Sequence, residues 1–209
     1  MATLLLILIA IIAYVLGSVN GAIIASKYIF HKDIRELGSG NAGLTNFLRN
    51  FGPVGVVLLL AIDVLKSVLA VIIGGLLLGI VGYPTLGKFF ATFCLALGHN
   101  YPVFYNFRGG KGALCTGVAV LLIDWRVALI CIAVFLLTII FTRYVSLGSI
   151  LSAVCFPIYV WAFHYGSMAG VLALLNCLLI LWKHRSNIVR LIAGTESKVK
   201  FGKKSKPML

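Results

Sequence analysis

The sequence predicts an all-α integral membrane protein with seven transmembrane helices, N-terminus outside and C-terminus cytoplasmic. Composition is the first reason. Of 209 residues, 61% are hydrophobic and 11% charged, where soluble domains hold about 45–50% and about 25%. A globule of this size has too little interior to hide that much apolar surface. Spacing is the second: apolar runs separated by polar or Gly/Pro punctuation approach the about 20 residues that a bilayer crossing needs. The third is where the charge lies. Lys and Arg number 18 against 5 Asp and Glu, a net charge of +13, and most fall in alternate connections. A soluble enzyme, a disordered chain and a disulfide-stapled secreted domain are excluded.

The expected spans are 3–25, 54–79, 84–100, 112–123, 127–142, 147–164 and 167–182. The chain is apolar from Leu4 to Val15 with no basic flank or small-residue cleavage site, so the first run reads as a span and not a removed signal. Asp63 and Lys66 share one face of the second span. Ionisable groups at membrane depth are functional candidates by default, but a partner three residues away already satisfies both, which favours a self-neutralising structural pair. The third and fourth spans flank a Gly-rich polar stretch, and the fourth is short. Residues 1–197 form one transmembrane catalytic domain; 198–209 read as a solvated basic cytoplasmic tail.

Charge sets the orientation. If 26–52 is cytoplasmic, fifteen of the eighteen basic residues lie on that side, from Lys27 through Arg108 and Arg143 to Lys206. Arg126 is in an outer loop, and Lys66 and Lys88 are within spans. Cytoplasmic loops carry such an excess, so no nucleic-acid partner is implied. The five cysteines sit in apolar stretches without a C-x-x-C pair and read as small core residues.

The polar residues fall in segments that this topology gathers on one side. Gly38 to Arg49 offers Ser39, Asn41, Thr45, Asn46 and Arg49; from Asn41 to Arg49 it reads as a short helix, with Asn41 and Thr45, then Thr45 and Arg49, on shared faces. Ser39 or Asn41 as an N-cap would explain only one of these groups. Gly17 to Gly21 echoes this segment weakly. His99 precedes Arg108-Gly109-Gly110-Lys111-Gly112, which has the composition of a phosphate cradle: glycines let backbone N–H groups converge, and lysine adds a point charge. It lacks Walker A spacing. Arg143 to Ser149 joins the fifth and sixth spans, and His184 and Asn187 share a face after the last. His31 and His164 are assigned no role. No His or carboxylate pair has metal-ligand spacing, so neither metal nor cofactor is expected. Basic groups, a glycine cradle, a serine and a histidine on one membrane face suit acyl transfer involving a phosphorylated small molecule, whose lipid product enters the bilayer. A transporter of phosphorylated metabolites would place its charges near the midplane and show inverted repeats. A lipid-binding scaffold would explain the tail but not the Ser39–Arg49 and Gly-Gly-Lys segments.

Four motifs in order carry a resemblance over nearly the whole chain: Gly38 to Asn46 with Arg49, Gly98-His99 with Pro102-Val103-Phe104, Gly109 to Gly112, and His184 to Ile188 with Gly194-Thr195-Glu196. The sequence resembles the bacterial acyl-phosphate:glycerol-3-phosphate acyltransferase family. The resemblance implies a seven-span inner-membrane enzyme with a cytoplasmic site. It implies acyl transfer from acyl phosphate to the 1-hydroxyl of glycerol 3-phosphate, with a separate soluble phosphate acyltransferase making the donor. The H-x-x-x-x-D motif of enzymes using coenzyme A or acyl carrier protein is absent at every histidine. By the same resemblance Ser39, Arg49, Lys111 and His184 are catalytic. The resemblance places Gly109, Gly110 and Gly112 with Lys111 in a phosphate-binding loop, Ser149 and Asn187 in the site, and Glu196 as structural; the polar segments themselves add Asn41, Thr45, Asn46, His99, Arg108 and Arg143 as candidate substrate-binding residues. Direct transfer and an acyl-Ser39 route through His184 are both compatible; no third residue orients the histidine, which favours direct transfer.

Overall fold

The computed structural model describes residues 1–163 and 165–199, so His164 and all of the basic tail beyond Val199 lie outside the described residues. Among the described residues no strand occurs. The helices are α1 (Ala2–Ser18), α2 (Gly21–Phe30), α3 (Leu44–Phe51), α4 (Val56–Gly79), α5 (Pro84–Asn100), α6 (Ala113–Ile123), α7 (Trp125–Thr142), α8 (Val145–Ala162), α9 (Ser167–Lys183) and α10 (Arg185–Ile192). Short 3-10 turns cover Ile34–Glu36 and Val103–Tyr105. Boundaries follow local chemistry: Asn20 and Asp124 accept from backbone N–H groups to cap α2 and α7, and Pro84 opens α5.

The all-α membrane class holds, but seven crossing helices do not follow from helix length. Four segments are long and apolar enough: Ala2–Phe30 taken together, α4, α7 and α8. Counting α9 with α10, bent by 60°, makes five. At 17 and 11 residues, α5 and α6 are shorter; eleven residues rise about 17 Å, roughly half the hydrocarbon thickness. The first expected span is also interrupted. Val19 and Asn20 are extended and separate α1 from α2, within the Gly17–Gly21 segment that echoes the first polar motif. An apolar-run criterion passes over the break, because a single asparagine beside a valine scarcely lowers the local hydropathy.

Helix α5 lies at the centre, against α1, α4, α6 and α9. Glycine lets the backbones close: a Cβ on Gly98 would stand 2.1 Å from the Tyr14 carbonyl, and one on Gly87 2.1 Å from that of Gly74. Such small-residue contacts are how helices pack where lipid removes the usual hydrophobic drive. Phe89, Phe156 and Val160 fill one core cluster, and Ile23, Ile34, Phe47 and Leu59 another beneath the polar loops. Large apolar side chains such as Leu65, Leu76 and Phe141 point outward, as a bilayer-facing surface requires.

Candidate active site

Three connections meet at one end of the bundle around a cavity of about 330 Å³. Ser39, Gly40 and Asn41 come from the loop before α3; Phe107, Arg108, Gly109 and Lys111 from the loop between α5 and α6; Lys183, Arg185, Ser186 and Arg190 from the α9–α10 junction.

Asn46 shapes the first loop. Its buried amide donates to the Leu37 and Asn41 carbonyls at 3.0 and 3.1 Å, and its Oδ1 accepts from the Ser39 N–H at 3.1 Å. This asparagine therefore knits backbone and leaves Ser39 and Asn41 facing the cavity. The expected helix from Asn41 instead begins at Leu44 behind the Gly43 cap. Asn41 and Thr45 share no helical face, because the chain turns between them, with the Gly43 N–H on the Asn41 carbonyl at 3.0 Å, before the helix starts. Thr45 and Arg49 lie on α3 and do not line the cavity. Arg49 donates to the Ser197 carbonyl at 3.3 Å, joining α3 to the C-terminal segment.

The glycine loop is seated on His99, which is buried and off the cavity wall. Gly110 N–H donates to the His99 carbonyl at 3.1 Å, so this N–H is not free to cradle an anion. A Cβ on Gly109 would come within 2.1 Å of that carbonyl, and one on Gly110 within 2.2 Å of His99 Nε2 and 2.5 Å of the Ala42 carbonyl. These glycines thus serve close approach of the loop to His99 and Ala42. Gly112 begins α6 at φ +77°, and Asn106 and Phe107 also hold positive φ, a costly conformation for an aromatic residue. The Arg108 carbonyl and that of Tyr105 are held by the Arg35 guanidinium.

Lys111 bonds Asn187 Oδ1. Asn187 donates to Glu196 Oε1 at 2.7 Å, Ser146 to the same oxygen at 2.9 Å, and Arg190 to Oε2 at 2.6 Å. Glu196 thereby orders four side chains while its own charge is absorbed by Arg190. Burial pushes the Glu196 carboxyl up, and the bonds from Asn187, Arg190 and Ser146 more than offset this, leaving it below its ordinary value. Burial brings Lys111 down to about 8, against the pull of Glu196 and with the push of Arg190, Lys183 and Arg49. His184 is buried and pushed down to about 4, by burial first and then by Lys111. It is neutral at pH 7, and its Nδ1 lies 2.8 Å from the Ile180 carbonyl. That bond requires a proton on Nδ1 and leaves Nε2 as an acceptor. Ser149 donates to the Val145 carbonyl, and the Arg143 carbonyl accepts from Val199 N–H; neither residue lines the cavity.

Lys183, Arg190 and Phe107 line the cavity from outside the four motifs, and Gly40, Arg185 and Ser186 line it from within them without having been assigned a role. The basic ones read in the sequence as ordinary positive-inside charges; their proximity to the RGGKG segment is a tertiary fact. Among the described residues one trio, Asp63, His99 and Cys115, brings metal-ligating atoms within 4.8 Å of one another. The Lys66 ammonium lies 2.7 Å from Asp63 and 3.0 Å from His99 and fills that place.

The family profile "Glycerol-3-phosphate acyltransferase" matches residues 7–194. The chain belongs to the glycerol-3-phosphate acyltransferase family. A glycerol-3-phosphate acyltransferase of Thermoanaerobacter sp. (strain X514) is 43% identical over 193 residues, 92% of this chain and 95% of that protein. The one from Clostridioides difficile (strain 630) is 41% identical over 195 residues, 92% and 95% of the two chains. Two crystal structures of PlsY (YgiH), an integral membrane glycerol 3-phosphate acyltransferase, share the fold. The glycerol 3-phosphate form has a TM-score of 0.82 and 32% identity, covering 93% of this chain and 96% of that one. The lysophosphatidic acid form gives 0.80 and 30%, covering 93% and 95%. As a member of this family the protein is a membrane acyltransferase. The family match contains every cavity-lining residue from Ser39 to Arg190 and ends before Glu196, which orders the wall from outside it.

Proposed function

We propose that this protein transfers a fatty acyl group from acyl phosphate to the 1-hydroxyl of glycerol 3-phosphate at the cytoplasmic face of the bacterial inner membrane. One observation carries the reading: Arg108, Lys111, Lys183, Arg185 and Arg190, from two separate connections, surround one cavity opposite Ser39. Donor and acceptor each bring a phosphate, and five cations suit two such groups. The glycerol 3-phosphate and lysophosphatidic acid forms of PlsY support the choice of acceptor and product. Seven crossings with the N-terminus outside agree with this end carrying the basic loops.

In the direct route the glycerol 1-oxygen attacks the acyl carbon. The new ester C–O bond forms as the acyl–phosphate C–O bond breaks, and the hydroxyl proton leaves with inorganic phosphate. The donor is already activated, so little base strength is required. Lys111 and Arg108 neutralise charge on the phosphates and Ser39 hydrogen-bonds a phosphate oxygen, while His184, buried off the cavity wall, acts from behind it. Arg49 adds its field to Lys111 and holds Ser197 beside Glu196. No cofactor or metal enters this scheme, and a soluble phosphate acyltransferase supplies the donor. An acyl-Ser39 route would need Ser39 within reach of His184; the described contact of His184 is with Ile180.

The test is transfer from palmitoyl phosphate to radiolabelled glycerol 3-phosphate by the detergent-purified protein, with no metal, coenzyme A or acyl carrier protein added. Lipid product from wild type, lost in Ser39→Ala and Lys111→Ala, is the expected result. Folded protein that binds glycerol 3-phosphate and forms no lipid would overturn the reading in favour of transport.

A further inference from the structure

The interruption of the first span leaves backbone groups without helical partners at membrane depth, where no water satisfies them. Two residues of α4 answer this. Lys66, 3% exposed, places its ammonium 2.7 Å from the Val19 carbonyl and 3.3 Å from that of Gly17. Asp63 accepts from the Gly21 N–H at 3.2 Å. The cation therefore sits at the C-terminal end of α1 and the carboxylate at the N-terminal end of α2, each matching the sign of the helix dipole there. A pair serving only to neutralise itself would not need this alignment.

The same centre touches both walls of the cavity. Lys66 reaches His99 Nδ1 at 3.0 Å, and the His99 carbonyl holds the Gly110 N–H, next to Lys111. On the other side Asn20, beside the braced Val19, donates to the Ala42 carbonyl at 3.3 Å, next to Asn41. Gly110 and Ala42 are themselves packed together: a Cβ on Gly110 would lie 2.5 Å from the Ala42 carbonyl. We propose that Lys66, with Asp63, is a positioning residue that sets the register between the Ser39–Asn41 loop and the Gly109–Lys111 loop, through Val19–Asn20–Ala42 on one side and His99–Gly110 on the other. This rests on the proposed reading of the cavity as a phosphate site. Its consequence is that loss of Lys66 loosens phosphate binding from a distance, by freeing His99 and the Val19 carbonyl together.

The experiment compares wild type, Lys66→Met and the charge-balanced Asp63→Asn/Lys66→Met. It reads the melting midpoint, the KM for glycerol 3-phosphate, kcat, and calorimetric binding of inorganic phosphate. Lys66→Met leaves a buried carboxylate alone and lowers the midpoint; the double variant recovers the midpoint. In both, KM for glycerol 3-phosphate and Kd for phosphate rise about tenfold with kcat changed less than about threefold, the split expected when binding and not chemistry is disturbed. Wild-type KM and Kd in the folded double variant overturn the proposal and leave a purely structural pair. If neither variant folds, Asn20→Ser decides. It keeps a capping oxygen for α2 and replaces the amide donor to Ala42 by a shorter hydroxyl, and wild-type KM and Kd there are equally fatal. Phosphate binding is read without turnover, so a wild type that binds phosphate but makes no lipid indicts the acyltransfer chemistry and not the positioning.

Discussion

Two carboxylate centres stand at opposite ends of the bundle and use the same chemistry to different ends. At the α6–α7 corner Asp124 caps α7 through the Arg126 N–H, pairs with the Arg126 guanidinium at 2.8 Å, and receives the Tyr165 hydroxyl. The Arg126 guanidinium holds its carboxyl well below the usual carboxylate range. Every partner is satisfied locally and nothing is passed on. Glu196 also takes an arginine and two neutral donors. One of those donors, Asn187, uses its other atom to hold Lys111, a half-buried cation on the cavity wall. The first centre is a staple; the second is a relay that ends on a charge with no carboxylate partner among the described residues. A paired acid is thus weak evidence of function until one asks where its partners' remaining valences go.

Removing the end of the relay has the largest effect. Lys111→Ala is expected to lower kcat/KM at least about 100-fold, the scale of losing one preorganised donor to developing charge, in the palmitoyl phosphate assay. Deprotonation should reproduce part of that loss. Because burial brings Lys111 down to about 8, its ammonium is present below that pH and lost above it. kcat/KM for glycerol 3-phosphate should fall roughly tenfold per pH unit above 8 in the free enzyme. Lys111→Arg should abolish this alkaline limb, since guanidinium stays charged; a limb that survives sinks the assignment.

Cutting the relay one step back is milder. Glu196→Gln should cost about tenfold in kcat/KM by letting Asn187 and Lys111 drift, while Asp124→Asn should leave turnover within about twofold. Equal effects from the two substitutions would erase the distinction between staple and relay. The staple has its own readout: Asp124→Ala should cost about 1 kcal/mol, a lowering of Tm by a few degrees in a thermal-shift assay, with activity intact. The smallest expected effect is on the tail. Replacing Lys203, Lys204 and Lys206 by alanine should leave turnover unchanged in mixed micelles, and a large drop would contradict a merely solvated extension.

Much of this was readable residue by residue. Composition alone demands a membrane, because apolar area scales with residue count whatever the chain path. The polar segments stood out by contrast with their surroundings, and Ser39, Asn41, Arg108, Gly109 and Lys111 do line one cavity. Spacing rules see only neighbours within a turn or two, so they missed what depends on distant backbone. Asn46 looked like a ligand and is occupied by carbonyls nine and five residues upstream. The Asp63–Lys66 pair looked self-contained and instead spans the break in the first helix. Arg49, a motif residue, is turned to Ser197, while Lys183 and Arg185 supply charge to the cavity.

The division has a physical basis. Hydropathy and side-chain inventory are properties of a residue, so membrane class, family and the chemistry on offer could be had from the chain written out as letters. Which carbonyl lacks a donor, which glycine must admit another backbone, and which cation is left without an acid are properties of pairs far apart in sequence. Lys66 finding Val19, and Glu196 reaching Lys111 through Asn187, came into being only when the helices packed.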